Sequence, residues 1–189
     1  DINLSSVNPE LIQCSTSDAE FNFNYTQQIQ TTTTITADNL PTGATASFSP
    51  SSISQNGDVV MTVSNLESVA SGTYEISVTA SNGDETQTKK VELRVVHPDF
   101  TNTPMSLSSP LNEEAGVLFP EIELVWNENI NAESYTVELS NNPSFTNILA
   151  TSTQTDIKFT ATGLEENSIY YWRVNPTNQC GLAISPIIY

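Results

Sequence analysis

Basic residues are scarce in this chain: five Lys and Arg stand against 22 Asp and Glu, for a formal net charge of −17. The imbalance is spread evenly, with 11 acids and 3 bases in residues 1–97 (net −8) and 11 acids and 2 bases in residues 98–189 (net −9). Nucleic-acid binding depends on Lys and Arg displacing counterions from phosphates, so a chain without a basic stripe is excluded from it, and from anionic membrane surfaces as well. Solubility outside the cell is the plain reading of such acidity, with a diffuse cation-binding surface as the alternative. No run approaches the roughly 18 apolar residues that span a bilayer, so membrane insertion is not expected. Asp1 opens directly in a strand-like run, and Tyr189 falls in or just past a last strand. The expectation is a mature or excised piece of a larger protein.

Histidine is almost missing. His97, beside Pro98, is the single one, and it can neither build a metal site nor anchor a triad unless partners converge on it. The sequence has no His-Glu-x-x-His, no Gly-x-Ser-x-Gly and no glycine loop that could cradle phosphate. No catalytic, cofactor-binding or metal residue is therefore assigned. Carboxylate pairs suffice for a glycosidase, but its acid must be partly buried to raise its pKa. Glu121 and Glu123 read as the outward face of one strand, Glu113-Glu114 and Glu165-Glu166 as turns, and none has apolar flanks that suggest a pocket. Asn56-Gly-Asp58, Asn82-Gly-Asp84-Glu85 and Asn127-Glu-Asn129 offer oxygen ligands to calcium, yet turn geometry already accounts for them and no EF-hand pattern is present. Asn24-Tyr25-Thr26 matches a glycosylation sequon inside an expected strand, where chance explains it.

What the chain does have is alternation. Phe21, Phe23 and Tyr25 are separated by Asn22 and Asn24; Val59, Met61 and Val63 alternate against Val60, Thr62 and Ser64; Tyr74, Ile76, Val78 and Ala80, then Val91, Leu93 and Val95, alternate with polar or charged residues. Each run reads as a strand buried on one face. Ile2 and Leu4 open a first strand kinked at Val7-Asn8-Pro9 and resumed at Leu11 to Cys14. Asn82-Gly83 is the hairpin signal between two of the runs. Alternation stops at 98–104, with Pro98 and Pro104 at its ends, which reads as a short stiff linker between domains 1–97 and 105–189. Beyond it come Ile122, Leu124 and Trp126, then Tyr135, Val137 and Leu139, then Tyr170, Trp172 and Val174. The fold class expected is all-β, two sandwiches in tandem.

Leu164 followed six residues later by Tyr170, across Glu165-Glu166-Asn167-Ser168, resembles the tyrosine corner of fibronectin type III domains. With Trp126, Ala132-x-Ser134-Tyr135-x-Val137-x-Leu139, Asn142-Pro-Ser-Phe145 and Tyr170-x-Trp172-Arg-Val174, the second half is similar to fibronectin type III domains of secreted Bacteroidetes (flavobacterial) proteins. Leu40-Pro41-x-Gly43 followed by Phe48-x-Pro50 resembles a signature of immunoglobulin-like repeats in secreted bacterial proteins. The resemblance implies an immunoglobulin-like and then a fibronectin type III-like accessory domain, as commonly follows a secreted metallopeptidase, and an extracellular or cell-surface location. Such sandwiches host unrelated roles.

In that arrangement Cys14, between the first two strands, falls at the pole facing the linker. Cys180, in Asn178-Gln-Cys-Gly181, falls at the pole where the chain enters a fibronectin type III sandwich. A Cys14–Cys180 disulfide is expected, closing a loop of about 165 residues and removing at most roughly 5 kcal/mol of unfolded-state freedom. The alternatives are unpaired thiols or bonds to neighbouring domains. Function then reads as a non-catalytic extracellular spacer or interaction module, its partners being other domains of the parent chain and a protein or glycan ligand; a carbohydrate-binding or adhesion module is the alternative. Phe100, Phe119, Tyr171 and Tyr189 are the exposed rings such a module could use, although scattered rings fit domain-interface packing better than a sugar platform.

Overall fold

The computed structural model describes residues 1–98, 100, 105–117 and 120–182, and divides into two compact units, 1–97 and 98–189. Apart from Pro98 and Phe100, the linker expected at 98–104 lies outside the described residues.

In the first unit the strands are β1 (Ile2–Ser6), β2 (Glu10–Cys14), β3 (Ala19–Gln27), β4 (Thr33–Asp38), β5 (Thr45–Ser49), β6 (Ser52–Ile53), β7 (Gly57–Ser64), β8 (Gly72–Ser81) and β9 (Thr86–Val96). They form two sheets, ordered β1-β3-β7-β5 and β2-β9-β8-β4-β6. The kink read at Val7-Asn8-Pro9 does more than bend a strand, because it moves the chain from one sheet to the other. β1 pairs antiparallel with β3, whereas β2 pairs parallel with β9. The crossing is held by side-chain bonds: Asn8 Nδ2 donates to the Glu20 carbonyl (2.9 Å) and Asn8 Oδ1 accepts from Asn22 N–H (2.7 Å). Pro9, which has no N–H to lose, offers its carbonyl to Glu92 N–H at 2.8 Å.

Between the sheets lie Leu4, Phe21, Phe23, Tyr25, Met61, Ile76 and Leu93, all essentially inaccessible to water. β3 follows the alternation read from its sequence, with Ala19, Phe21, Phe23 and Tyr25 buried and the residues between them exposed. The Leu40-to-Gly43 segment is a turn closed by Ala44 N–H to the Pro41 carbonyl (3.0 Å), with Gly43 at φ +95°, where a side chain would be strained.

The second unit consists of β10 (Leu107–Ser109), β11 (Ile122–Trp126), β12 (Ser134–Ser140), β13 (Ile148–Gln154), β14 (Lys158–Ala161), β15 (Tyr171–Asn178) and β16 (Gly181–Leu182). Three of them form a sheet ordered β10-β11-β14, and four form a sheet ordered β13-β12-β15-β16. Trp126, Leu124, Val137, Trp172 and Val174 fill the space between, with Trp126 meeting the Tyr135 ring edge-on at 5.8 Å. The outer face of β15 is also organised. Arg173 Nε donates to Glu138 Oε2 (2.5 Å) across the β12 pairing, and its guanidinium lies 4.2 Å from the centre of the Phe145 ring.

Three sheet-forming strands against four, with the others arranged four against five, are the layouts of fibronectin type III-like and immunoglobulin-like sandwiches. The chain is thus an all-β tandem of the two. Both units carry a tyrosine whose hydroxyl ties the corner before its strand. Tyr170 Oη accepts from Glu165 N–H at 2.8 Å, as the spacing from Leu164 predicts. Tyr74 Oη donates to the Ala70 carbonyl at 2.8 Å, a second corner that the sequence pattern does not announce. Tyr74→Phe and Tyr170→Phe, which keep the rings, are each expected to lower stability by about 1 kcal/mol in urea unfolding. An unchanged midpoint for either would show that its hydroxyl holds nothing.

Candidate functional site

His97 and Ser15 are 82 positions apart, yet β2 and β9 bring them together at the end of the parallel pair. Ser15 N–H donates to the Val96 carbonyl at 2.9 Å, which places its side chain beside the next residue. Ser15 Oγ lies 3.1 Å from His97 Nδ1, and His97 Nε2 lies 2.6 Å from the Val69 carbonyl. A carbonyl only accepts, so in the neutral ring Nε2 carries the proton and Ser15 donates to Nδ1. The contact has the form of a nucleophile and its base. A catalytic serine, however, must meet substrate, and in the Ser-His-Asp arrangement a carboxylate behind the imidazole holds the imidazolium that forms. Here a carbonyl stands in that place and Ser15 is 3% exposed. The trio therefore clamps the ends of β2 and β9 to the loop before β8.

The other sequence candidates disperse. Glu123 pairs with Lys158 on the outer face of β11 (3.2 Å), and Glu121 stands exposed just before that strand. Several oxygens of the calcium candidates are spent on the chain itself. Asn56 Oδ1 accepts from Gln27 N–H, Asp58 Oδ1 from Asn24 Nδ2, and Asn82 Oδ1 from both Asp84 and Glu85 N–H. Asn129 Oδ1 accepts from Asn131 N–H. Asn24, the sequon residue, stands exposed in β3. Of the rings taken as exposed, Phe100, read as a loop residue, is buried, and Tyr171 is half-buried, because parity along a strand does not report what the flanking loops cover. Phe119 and Tyr189 lie outside the described residues.

Cys14 closes β2 opposite Val96, the penultimate residue of the first unit. Cys180 sits in the turn between β15 and β16, its N–H donating to Asn178 Oδ1 (2.8 Å). The next residue, Gly181, packs so close to the Pro98 carbonyl that a Cβ there would collide with it. Neither cysteine is a free thiol.

Glu113-Glu114 and Glu165-Glu166 do not stand in open turns without apolar company, as their sequence flanks suggest. The loop from Pro110 to Val117 and the loop from Leu164 to Tyr171 face each other across a cleft of about 840 Å³ in the second unit. Its floor reaches Leu124 and Leu139 of the core, and its mouth exposes Leu111, Val117 and Ile169. Both walls are held by local bonds. Glu114 Oε2 accepts from Leu111 N–H (2.6 Å), and the Tyr170 corner fixes the opposite loop. Sequence reasoning missed this site because its walls are about fifty residues apart and neither is apolar enough alone.

Fold and surface together define a tandem β-sandwich module of the immunoglobulin and fibronectin type III kind. A family model described as Domain of unknown function (DUF8121) matches residues 26–159, running through both units, and the chain belongs to that family. No curated protein matches the sequence. Among solved structures the chain is similar to Dpr2 Ig1-Ig2 in complex with DIP-Theta Ig1-Ig3, at 10% identity over 100% of this chain and 64% of that one, TM-score 0.50. It is also similar to domains of titin (16% identity, 97% and 63% covered, TM-score 0.49) and to chicken CNTN1 FN1-FN3 domains (11%, 100% and 63%, TM-score 0.48). The chain spans less than two thirds of each of these, and at 10% identity the likeness to Dpr2 speaks for the fold alone. Among the described residues no helix is long and apolar enough to cross a membrane.

His97→Ala should cost about 2 kcal/mol in urea unfolding, since it strips partners from the Val69 carbonyl and the Ser15 hydroxyl at once. Ser15→Ala should cost less, and a neutral His97→Ala would show that the clamp carries no load.

Proposed function

We propose that this chain is a non-catalytic extracellular spacer and interaction module, part of a larger secreted or cell-surface protein. The observation that carries the reading is the state and placement of the cysteines. Both are oxidised, as suits a compartment outside the cytosol. Each also sits beside the residue where its own unit meets the junction: Cys14 against Val96, and Cys180 next to the glycine that abuts Pro98. Pairing Cys14 with Cys180 would tie the two sandwiches together across residues 98–104 and limit their relative motion, which is what a spacer requires.

The residues best suited to chemistry support the same reading, because His97, Ser15 and Glu123 are engaged in holding strands. On the sequence resemblance alone, the parent we infer is a secreted bacterial protein of the metallopeptidase kind. The glycan-binding alternative needs a flat row of exposed rings, and Phe100 and Tyr171 do not supply one.

Intact mass should rise by about 2 Da on reduction, and Cys14→Ser with Cys180→Ser should cost up to about 5 kcal/mol. Equal masses before and after reduction remove the bridge. Assays with ester, peptide and glycoside substrates should stay silent. A turnover that disappears in Glu121→Gln or Glu123→Gln would overturn the non-catalytic reading, and retardation on polysaccharide gels would favour the glycan alternative.

A further inference from the structure

The geometry points to the cleft between the 110–117 and 164–171 loops as a docking site for a basic, apolar peptide segment of another protein. The inference rests on the reading of the chain as an interaction module and names the surface that does the interacting.

Its apolar half is exposed without need. Leu111 is 63% and Ile169 73% exposed, and both line one cleft whose floor is the core residues Leu124 and Leu139. Scattered surface leucines are ordinary, but aliphatic side chains gathered around a pre-formed recess leave apolar area that a partner's side chain would remove from water.

Charge identifies the partner. Glu113, Glu114, Glu165 and Glu166 all line the cleft, and no Lys, Arg or His does. The two cations of residues 98–189 are spent elsewhere, Lys158 on Glu123 and Arg173 on Glu138. Among the described residues none of the four cleft glutamates is in an ion pair. Four glutamates around an apolar recess, with no cation of residues 98–189 left to answer them, complement a ligand that brings its own Lys or Arg between aliphatic side chains. An acidic or sugar-like ligand would meet repulsion or an apolar floor it cannot use.

Both walls are already shaped, which lowers the ordering cost of binding. Leu111 to Glu114 is closed by Glu114 N–H to the Leu111 carbonyl (3.0 Å) as well as by the Glu114 side chain. Tyr170 fixes Glu165 on the other side.

The test is fluorescence polarisation of a labelled octapeptide alternating lysine with leucine, titrated with the full 189-residue chain. Binding is expected to weaken at least about tenfold in Ile169→Ser, and by a similar factor in Glu165→Gln with Glu166→Gln. It should weaken again as salt is raised from about 0.02 to 0.5 M. Glu10→Gln with Glu20→Gln removes the same charge from the first unit and should change little. Because Ile169 is already in water, its replacement leaves the core intact, and tryptophan fluorescence of Trp126 and Trp172 checks this. Three results would overturn the proposal: no binding, equal weakening by the first-unit pair, or equal binding of a peptide with alanine for leucine. Any of these with hydrolytic assays still silent removes the cleft but leaves the module reading, whereas turnover would remove that reading itself.

Discussion

A sheet that shows one face to water must hide every second side chain, and two such sheets stacked face to face share one slab of apolar residues. This constraint governs both units. It puts Phe21, Phe23 and Tyr25 against Met61, Ile76 and Leu93 in the first, and Trp126 against Val137, Trp172 and Val174 in the second. Each strand's contribution is modest alone. Together they bury enough apolar surface to offset the entropy of ordering domains under 100 residues.

Once the slab is closed, the polar groups at its ends decide what is left for function. At one end of the first unit, His97 and Ser15 are drawn into strand-holding bonds, so the residues nearest in type to a catalytic pair act as a structural clasp. In the second unit the loops beyond the slab do not close over it. A recess remains above Leu124 and Leu139, with glutamates around it. Acidity that reads as general solubility in the composition is therefore locally concentrated where apolar side chains are also exposed.

Much of this is legible in the residues. Alternation marked the inward face of β3, β7, β8, β9, β12 and β15 correctly, and the Leu164 to Tyr170 spacing announced a corner the structure forms. Other elements were hidden for physical reasons. β13 is an edge strand with no buried residue, so its sequence, Ile-Leu-Ala-Thr-Ser-Thr-Gln, carries no period-two signal and is a strand only because β12 pairs with it. β6 is two residues long, below any pattern. The Tyr74 corner has no leucine at the spacing that flags Tyr170, and the hydrogen bond to Ala70 appears only once the chain turns.

Which way a side chain faces along a strand is a property of the extended backbone, repeating every two residues, and so the amino-acid sequence by itself determined the inward residues of the cores and the strand-rich fold class. Which strands become neighbours is not local. The passage of β1 and β2 into opposite sheets, the meeting of Ser15 with His97, and the convergence of two glutamate-bearing loops on one recess were decided only by the tertiary structure, because each depends on chain segments brought together by burial of the cores rather than by any signal carried within the segments themselves.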